Sequence, residues 1–259
     1  MQTKVADLLA QFPANDLAYT DKLMGDMLAL GEEGIKLICN QVIPAGTGDD
    51  TRARFAVESL SRFLSQKGKE SDRTSWEKVC IPYATSQKEN GVKDFFMKQL
   101  QLTGSDKTAE ALKMFIADKE NCSAAISAIA AVGGQTAEHI LAESLKEKDL
   151  PCAAAIMNAL AGMNSTIAVN EYLVWAKDPS PNTKAAAYNA LARSGSPLAY
   201  PVLLEAARGI SYRWDRTGAT NALLDYAITC GKNANVRTAD KILRLLMTKC
   251  NDRLNIQYK

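Results

Sequence analysis

Ser127-Ala128-Ile129-Ala130, Asn158-Ala159-Leu160-Ala161, Asn189-Ala190-Leu191-Ala192 and Asn221-Ala222-Leu223-Leu224 are one short phrase written four times, at intervals of 31, 31 and 32 residues. Small residues stand just upstream of each copy (Ala124-Ala125, Ala154-Ala155, Ala185-Ala186 and Gly218-Ala219), and a glycine stands downstream (Gly133, Gly162, Gly195 and Gly231). Alanine and leucine favour helix, and small side chains let neighbouring helices approach closely. A glycine just past the last periodic residue supplies the left-handed backbone that stops a helix. Each copy therefore predicts one helix ending in a tight turn.

A second amphipathic segment follows each copy. Residues 136–146 place Ile140, Leu141 and Leu145 on one face, and residues 167–176 do the same with Val169, Tyr172 and Leu173. In the third unit Ser196-Pro197 has the pattern of an N-cap and first helical residue, ahead of a stripe of Val202, Leu203, Ala206 and Ala207. Lys148-Asp149 and Lys177-Asp178-Pro179-Ser180-Pro181 are short connections between units. Helix, turn, helix and loop repeating without strand-like runs predict an all-α fold, an α-solenoid of stacked helix pairs forming an α-α superhelix. The solenoid is expected over residues 1–250, regular in 105–250 and less regular in 1–104.

In the irregular part, helices are expected at 18–30 (ended by Gly31), 33–42, 51–66 (capped by Asp49 or Asp50), 92–102 and 107–117. Trp76, Val79, Cys80 and Tyr83 mark another, which Pro82 bends or ends. The tail 251–259 alternates Leu254, Ile256 and Tyr258 with polar residues, a strand period alien to the helices before it. The helix over 238–249 is apolar around more of its girth than one neighbour can cover. Together these predict that the C-terminal end is a junction leading into, or docking on, a β-rich partner.

Lys and Arg total 31 against 29 Asp and Glu, a net charge of +2. Dedicated nucleic-acid binders usually concentrate strong positive charge, so this balance weighs against nucleic acid as partner. No run approaches the roughly 18 apolar residues of a membrane span. The N-terminus lacks the charged and apolar regions of a signal peptide, although a mature secreted chain with a replacement Met begins the same way. The six cysteines are scattered with no CxxC; they are buried free thiols or disulfides, and no metal site is expected. No cofactor is implied.

No catalytic constellation is legible. His139 is the only histidine and cannot form a multi-histidine site. Glu32-Glu33 and Asp49-Asp50 sit at expected helix starts, where negative charge suits the dipole. Gly46-Thr47-Gly48 lacks the lysine of a phosphate-cradling loop. Two features remain as candidates. Ser127, Asn158, Asn189 and Asn221 share one repeat position and form either a polar ladder offered to a ligand or a structural ladder satisfying buried backbone groups. Arg213-Trp214-Asp215-Arg216 replaces a loop that is Pro-, Ser- and Asn-rich in the preceding repeat. An aromatic with two cations suits an anion, a sugar or a base; the structural alternative is an Arg–Asp pair covering a Trp that seals the last repeat.

The small-x-Ala-Leu-Ala-x-x-Gly helix with its apolar partner resembles the HEAT-like repeats also found in phycobilin-lyase-type proteins, clearly over 115–250 and more faintly over 18–66. Such repeats contact proteins, nucleic acids and lipids alike, so the resemblance implies a fold and not a ligand. Lys4-Val5-Ala6-Asp7-Leu8-Leu9, Leu28-Ala29-Leu30-Gly31-Glu32-Glu33-Gly34 and Gly48-Asp49-Asp50-Thr51-Arg52-Ala53-Arg54-Phe55-Ala56 resemble the N-terminal helical region of secreted bacterial proteins with a C-terminal 3-keto-disaccharide hydrolase domain. That likeness implies an extracytoplasmic or periplasmic accessory region whose carbohydrate contacts come from the attached domain. HEAT-like DNA glycosylases are similar in their repeats, but they set Trp, Asp and Arg on a strongly basic face. Here Trp214, Asp215 and Arg216 are consecutive. The expected role is a non-catalytic scaffold that recognises a protein or an attached domain.

Overall fold

The computed structural model describes residues 1–14, 16–86 and 89–250; the alternating tail 251–259 lies outside them. Fifteen α-helices and no strand occur among the described residues, which makes the chain an all-α protein of the α-solenoid class. None of those helices is long and apolar enough to cross a membrane. The chain divides into two compact units, Met1–Val132 and Gly133–Lys259.

The first unit holds α1 (Gln2–Leu9), α2 (Leu17–Ala29), α3 (Gly31–Cys39), α4 (Thr51–Leu64), α5 (Glu70–Thr85), α6 (Asn90–Thr103), α7 (Asp106–Leu112) and α8 (Cys122–Val132). The even helices form one layer, with α2 on α4, α4 on α6 and α6 on α8. The odd helices form the other, with α1 on α3, α3 on α5 and α5 on α7. Leu23, Met24, Met27, Ile38, Leu60, Phe96, Met97 and Leu100 are fully buried between the layers. The helix expected at 107–117 is α7 followed by a 3-10 turn, Lys113–Phe115.

Polar caps fix the entries to these helices. Asp16 accepts from the backbone N–H groups of Ala18 and Tyr19 at 3.2 and 3.3 Å. Ahead of α4 the two aspartates divide the work. Asp49 accepts from Thr51 N at 3.0 Å, while Asp50 accepts from Ile43 N at 2.9 Å and Arg54 Nε at 2.7 Å, tying the loop back to the helix. Helix α5 runs through Pro82 to Thr85, so the proline does not end it. Beside it, the Tyr83 ring stacks on Phe96 at 4.8 Å between centroids.

Glu77 of α5 is 3% exposed. Its carboxylate accepts from Ser105 N at 2.7 Å, Thr108 N at 3.2 Å and Thr108 Oγ1 at 2.6 Å, and takes the Ser105 hydroxyl at 2.8 Å. A carboxylate from one helix thus closes the N-terminus of another, where unpaired N–H groups and the helix dipole both favour negative charge. Replacing it with an apolar side chain strands those donors in a buried site. Glu77→Leu is expected to cost about 3 kcal/mol, measured as a lowered urea midpoint with secondary structure retained in buffer.

The second unit holds α9 (Gly134–Ser144), α10 (Ala153–Gly162), α11 (Val169–Trp175), α12 (Pro181–Ser194), α13 (Ala199–Gly209), α14 (Ala219–Lys232) and α15 (Val236–Lys249). Helices α10, α12 and α14 stack in one layer, and α11 packs on α13 in the other. Trp175 is buried and donates from Nε1 to Leu145 O at 3.0 Å, linking α11 to the end of α9. On α15, Ala239, Ile242 and Leu246 are buried, whereas Leu243 and Met247 are exposed.

The helix stops depart from expectation in an instructive way. Gly195 is left-handed (φ 63°) and ends α12, and Gly133 also has positive φ. Gly162, however, is the last residue of α10, and Gly231 lies inside α14. The left-handed positions there are Asn164 (φ 54°) and Ala234 (φ 61°). In both, the next residue's N–H reaches back to close the helix: Ser165 N to Leu160 O at 3.0 Å and Asn235 N to Cys230 O at 2.8 Å. This closure needs one left-handed residue wherever the helix runs out. Asparagine tolerates that conformation, and alanine adopts it at a cost of about 1–2 kcal/mol. Helix α13 also starts later than Ser196-Pro197 suggests. Ser196 Oγ accepts from Leu198 N at 3.3 Å in a turn that precedes the helix.

Cys39, Cys80, Cys230 and Cys250 are buried thiols outside any disulfide. Cys122 and Cys152 are disulfide-bonded, so the free-thiol alternative does not extend to them.

Leu160 and Leu191, the apolar residues at the heart of the repeated phrase, are fully buried. Placing an unpaired charge there carries a large desolvation cost. Leu160→Asp and Leu191→Asp are each expected to abolish the cooperative melt of the second unit, while Leu191→Ala costs about 2–5 kcal/mol in urea unfolding.

Candidate functional site

The repeat puts Asn158 on α10, Asn189 on α12 and Asn221 on α14 at the same helical position. Each immediately precedes a small residue and a buried leucine, so each points away from the buried stripe. Asn158 and Asn221 are exposed and Asn189 is half-buried. Ser127, exposed on α8 of the first unit, keeps the same register.

These side chains do not cap buried backbone groups, as the structural alternative had them doing. Asn189 Nδ2 donates to Asn158 Oδ1 at 3.2 Å, and Asn221 Nδ2 donates to Asp225 Oδ2 at 2.9 Å. The reason is positional: the register that buries Leu160, Leu191 and Leu223 turns the residue two positions before each of them towards the opposite side of the helix. What results is a row of carboxamides at the surface of three adjacent helices.

One turn further along each helix lies a second row. Gly162 on α10 has no side chain, whereas Arg193 on α12 and Asp225 on α14 are charged. Between the ends of α12 and α14 the surface opens into a cleft of about 540 Å³, lined by Asn164, Arg193, Asp225, Ile228, Lys232 and Asn233 among others. Its base is built by close packing: a Cβ on Gly195 would stand 2.8 Å from Asn233 Nδ2 and 3.1 Å from Thr229 Cγ2. Arg193 and Lys232 are exposed, and neither makes an ion pair among the described residues. Burial pushes the Asp225 carboxyl up from its ordinary range, against smaller opposing effects of the Arg193 charge and the Asn221 hydrogen bond. Neither Arg193 nor Asp225 was singled out from the sequence. The signal was available, since each follows a ladder asparagine by four residues and so shares its helix face.

The four consecutive residues in the loop between α13 and α14 are not gathered into a site. Arg213, Trp214 and Arg216 are exposed, with Trp214 at 55%. Asp215 is half-buried, and both its carboxylate oxygens accept from the Thr217 hydroxyl, at 2.9 and 2.8 Å. The aromatic that seals this end of the repeat is Tyr212, which is buried, and not Trp214. Tyr212 and Ser211 both take positive φ (58° and 54°), and Tyr212 N closes α13 onto Ala207 O at 2.8 Å. A bulky residue held in that conformation is an outlier, and here the buried ring compensates it. His139 is exposed on α9.

The Asp225 environment has a pH consequence. A carboxyl raised in the folded state binds its proton more tightly there than in the unfolded chain. Its ionisation therefore erodes stability as pH rises above the ordinary value of 3.8. Asp225→Asn removes that effect. Thermal melts from about pH 3 to about pH 8 are expected to show the variant matching wild type at the acid end and gaining on it as pH rises.

The family model for HEAT repeats matches residues 137–224, from within α9 to Leu224 on α14. Comparison with curated proteins finds no match. Paired helices in two layers, the 31-residue register and this match over residues 137–224 support a HEAT-like repeat architecture.

Proposed function

We propose that the chain is a non-catalytic scaffold that recognises another protein, with the carboxamide face of α10, α12 and α14 as the recognition surface. The observation carrying this reading is the row of exposed Asn158, half-buried Asn189 and exposed Asn221 at one repeat position. A carboxamide offers both donor and acceptor atoms, the same pair that a peptide unit presents. The bond between Asn189 and Asn158 uses one donor and one acceptor and leaves others facing solvent. Packed helices lie about 8–10 Å apart, and an extended chain rises about 3.3 Å per residue. Adjacent ladder positions therefore match roughly every third residue of an extended segment. Such a row grips main chain without demanding a particular sequence.

The glycosylase alternative is not carried forward, because it needs an acidic group available beside the tryptophan, and Asp215 is turned to Thr217. The finer reading, an accessory region of a secreted carbohydrate-active protein, is supported by the three N-terminal segments quoted above. On that reading the recognised partner is the attached domain.

Selection of phage-displayed random peptides on the full chain tests the ladder. Enriched peptides are expected to lose most of their binding to the triple variant Asn158→Ala/Asn189→Ala/Asn221→Ala, whose changes are all at surface positions. Peptides that bind wild type and triple variant equally, or no enrichment at all, would count against it.

A further inference from the structure

We infer that the cleft between the ends of α12 and α14 receives an acidic side chain of the bound polypeptide. The inference rests on the recognition reading above and adds a specificity to it. Asn189 and Arg193 are one turn apart on α12, as Asn221 and Asp225 are on α14. A segment lying along the carboxamides therefore passes the mouth of the cleft. At the same level on α10 stands Gly162, which leaves that side open.

The chemistry inside favours a carboxylate. Arg193 and Lys232 bring two cations, neither of them ion-paired among the described residues. The one acid, Asp225, already takes a hydrogen bond from Asn221 at 2.9 Å. The cleft thus has a net positive charge and a guanidinium that acts on Asp225 without ion-pairing to it among the described residues, and whose planar fork suits a carboxylate. Asn164 and Asn233 add carboxamide donors to the lining, and Ile228, 47% exposed, offers an apolar contact to the methylenes of a glutamate. A nucleic-acid strand fits less well: its phosphates would meet Asp225, and the ladder presents carboxamides where a phosphate tracker presents cations.

The test uses the full chain and short fluorescein-labelled probes: oligoglutamate, oligo(Gly-Ser) of equal length, and oligothymidylate, read by fluorescence anisotropy. Oligoglutamate is expected to bind more tightly than oligo(Gly-Ser). The double variant Arg193→Gln/Lys232→Gln is expected to weaken oligoglutamate about tenfold while leaving oligo(Gly-Ser) unchanged. The variant Lys148→Gln/Lys177→Gln, which removes the same charge elsewhere on the unit, is expected to leave both unchanged. Asn158→Ala/Asn189→Ala is expected to weaken both peptides. Equal affinity for the two peptides, or indifference of oligoglutamate to the Arg193 and Lys232 changes, overturns the inference. If oligo(Gly-Ser) binding then still depends on the ladder, the recognition reading stands without it. Charge dependence without ladder dependence overturns the recognition reading, and with it the placing of the acidic group in a longer bound segment. Oligothymidylate binding as tightly as oligoglutamate and losing affinity in the Arg193 and Lys232 variant assigns the cleft to phosphate and also overturns the inference.

Discussion

The second unit depends on how closely α10, α12 and α14 lie against one another. Ala153, Ala161, Ala186, Ala187, Ala190, Ala219 and Ala222 are buried along that layer, and side chains this small let helix backbones pack at short distance. Leu160, Leu191 and Leu223 fill what space remains and are wholly out of solvent. Interiors packed to this density transmit strain, so neither larger nor smaller residues are accommodated without cost. The surface follows from the interior. Because the buried positions recur with the repeat, so do the exposed ones, and a row of carboxamides at equal spacing is the outward counterpart of a row of leucines.

The first unit solves the same stacking problem with less repetition and more polar bonding. Its pairs are held by individual devices: Glu77 closing α7, Asp50 bridging Ile43 and Arg54, and Trp76 Nε1 donating to the buried Ser61 hydroxyl at 3.1 Å. Glu77 and Trp76 reach across to other helices and Asp50 ties its own loop to α4, so each is specific to its place. A buried carboxylate met by several donors restricts which arrangements the helices can take. That restriction substitutes for the regularity the second unit obtains from its register.

This contrast explains what could be read from the sequence. The helix pairs of the second unit were legible because the same physical requirement, small residues beside leucine, writes itself at a fixed interval. The stop at Gly195 was legible for local reasons, and the structure has it; Ser180, read from the sequence only as part of a connection, caps α12 by accepting from Thr183 N at 3.4 Å. Glu77 was not legible, since nothing near Trp76-Glu77-Lys78 announces partners at Ser105 and Thr108. The stops at Asn164 and Ala234 were missed because glycine was sought where only a left-handed residue was required. At the candidate site, the ladder was found from its interval, but the interval did not say whether it lies at the surface or caps buried backbone groups. Arg193 and Asp225 were passed over because they break the repeat and do not express it. Trp214 drew notice for its chemistry, while the residue doing the packing was its quieter neighbour Tyr212.

The spacing from Asn189 to Asn221 is one residue longer than the two intervals before it, yet the face is preserved. An extra residue inside a helix would rotate everything beyond it by about 100° and carry Asn221 off the shared surface. The loop between Gly209 and Ala219, with left-handed Ser211, Tyr212 and Gly218, absorbs the difference. That loop is therefore where the chain can change length without turning a helix off the shared face.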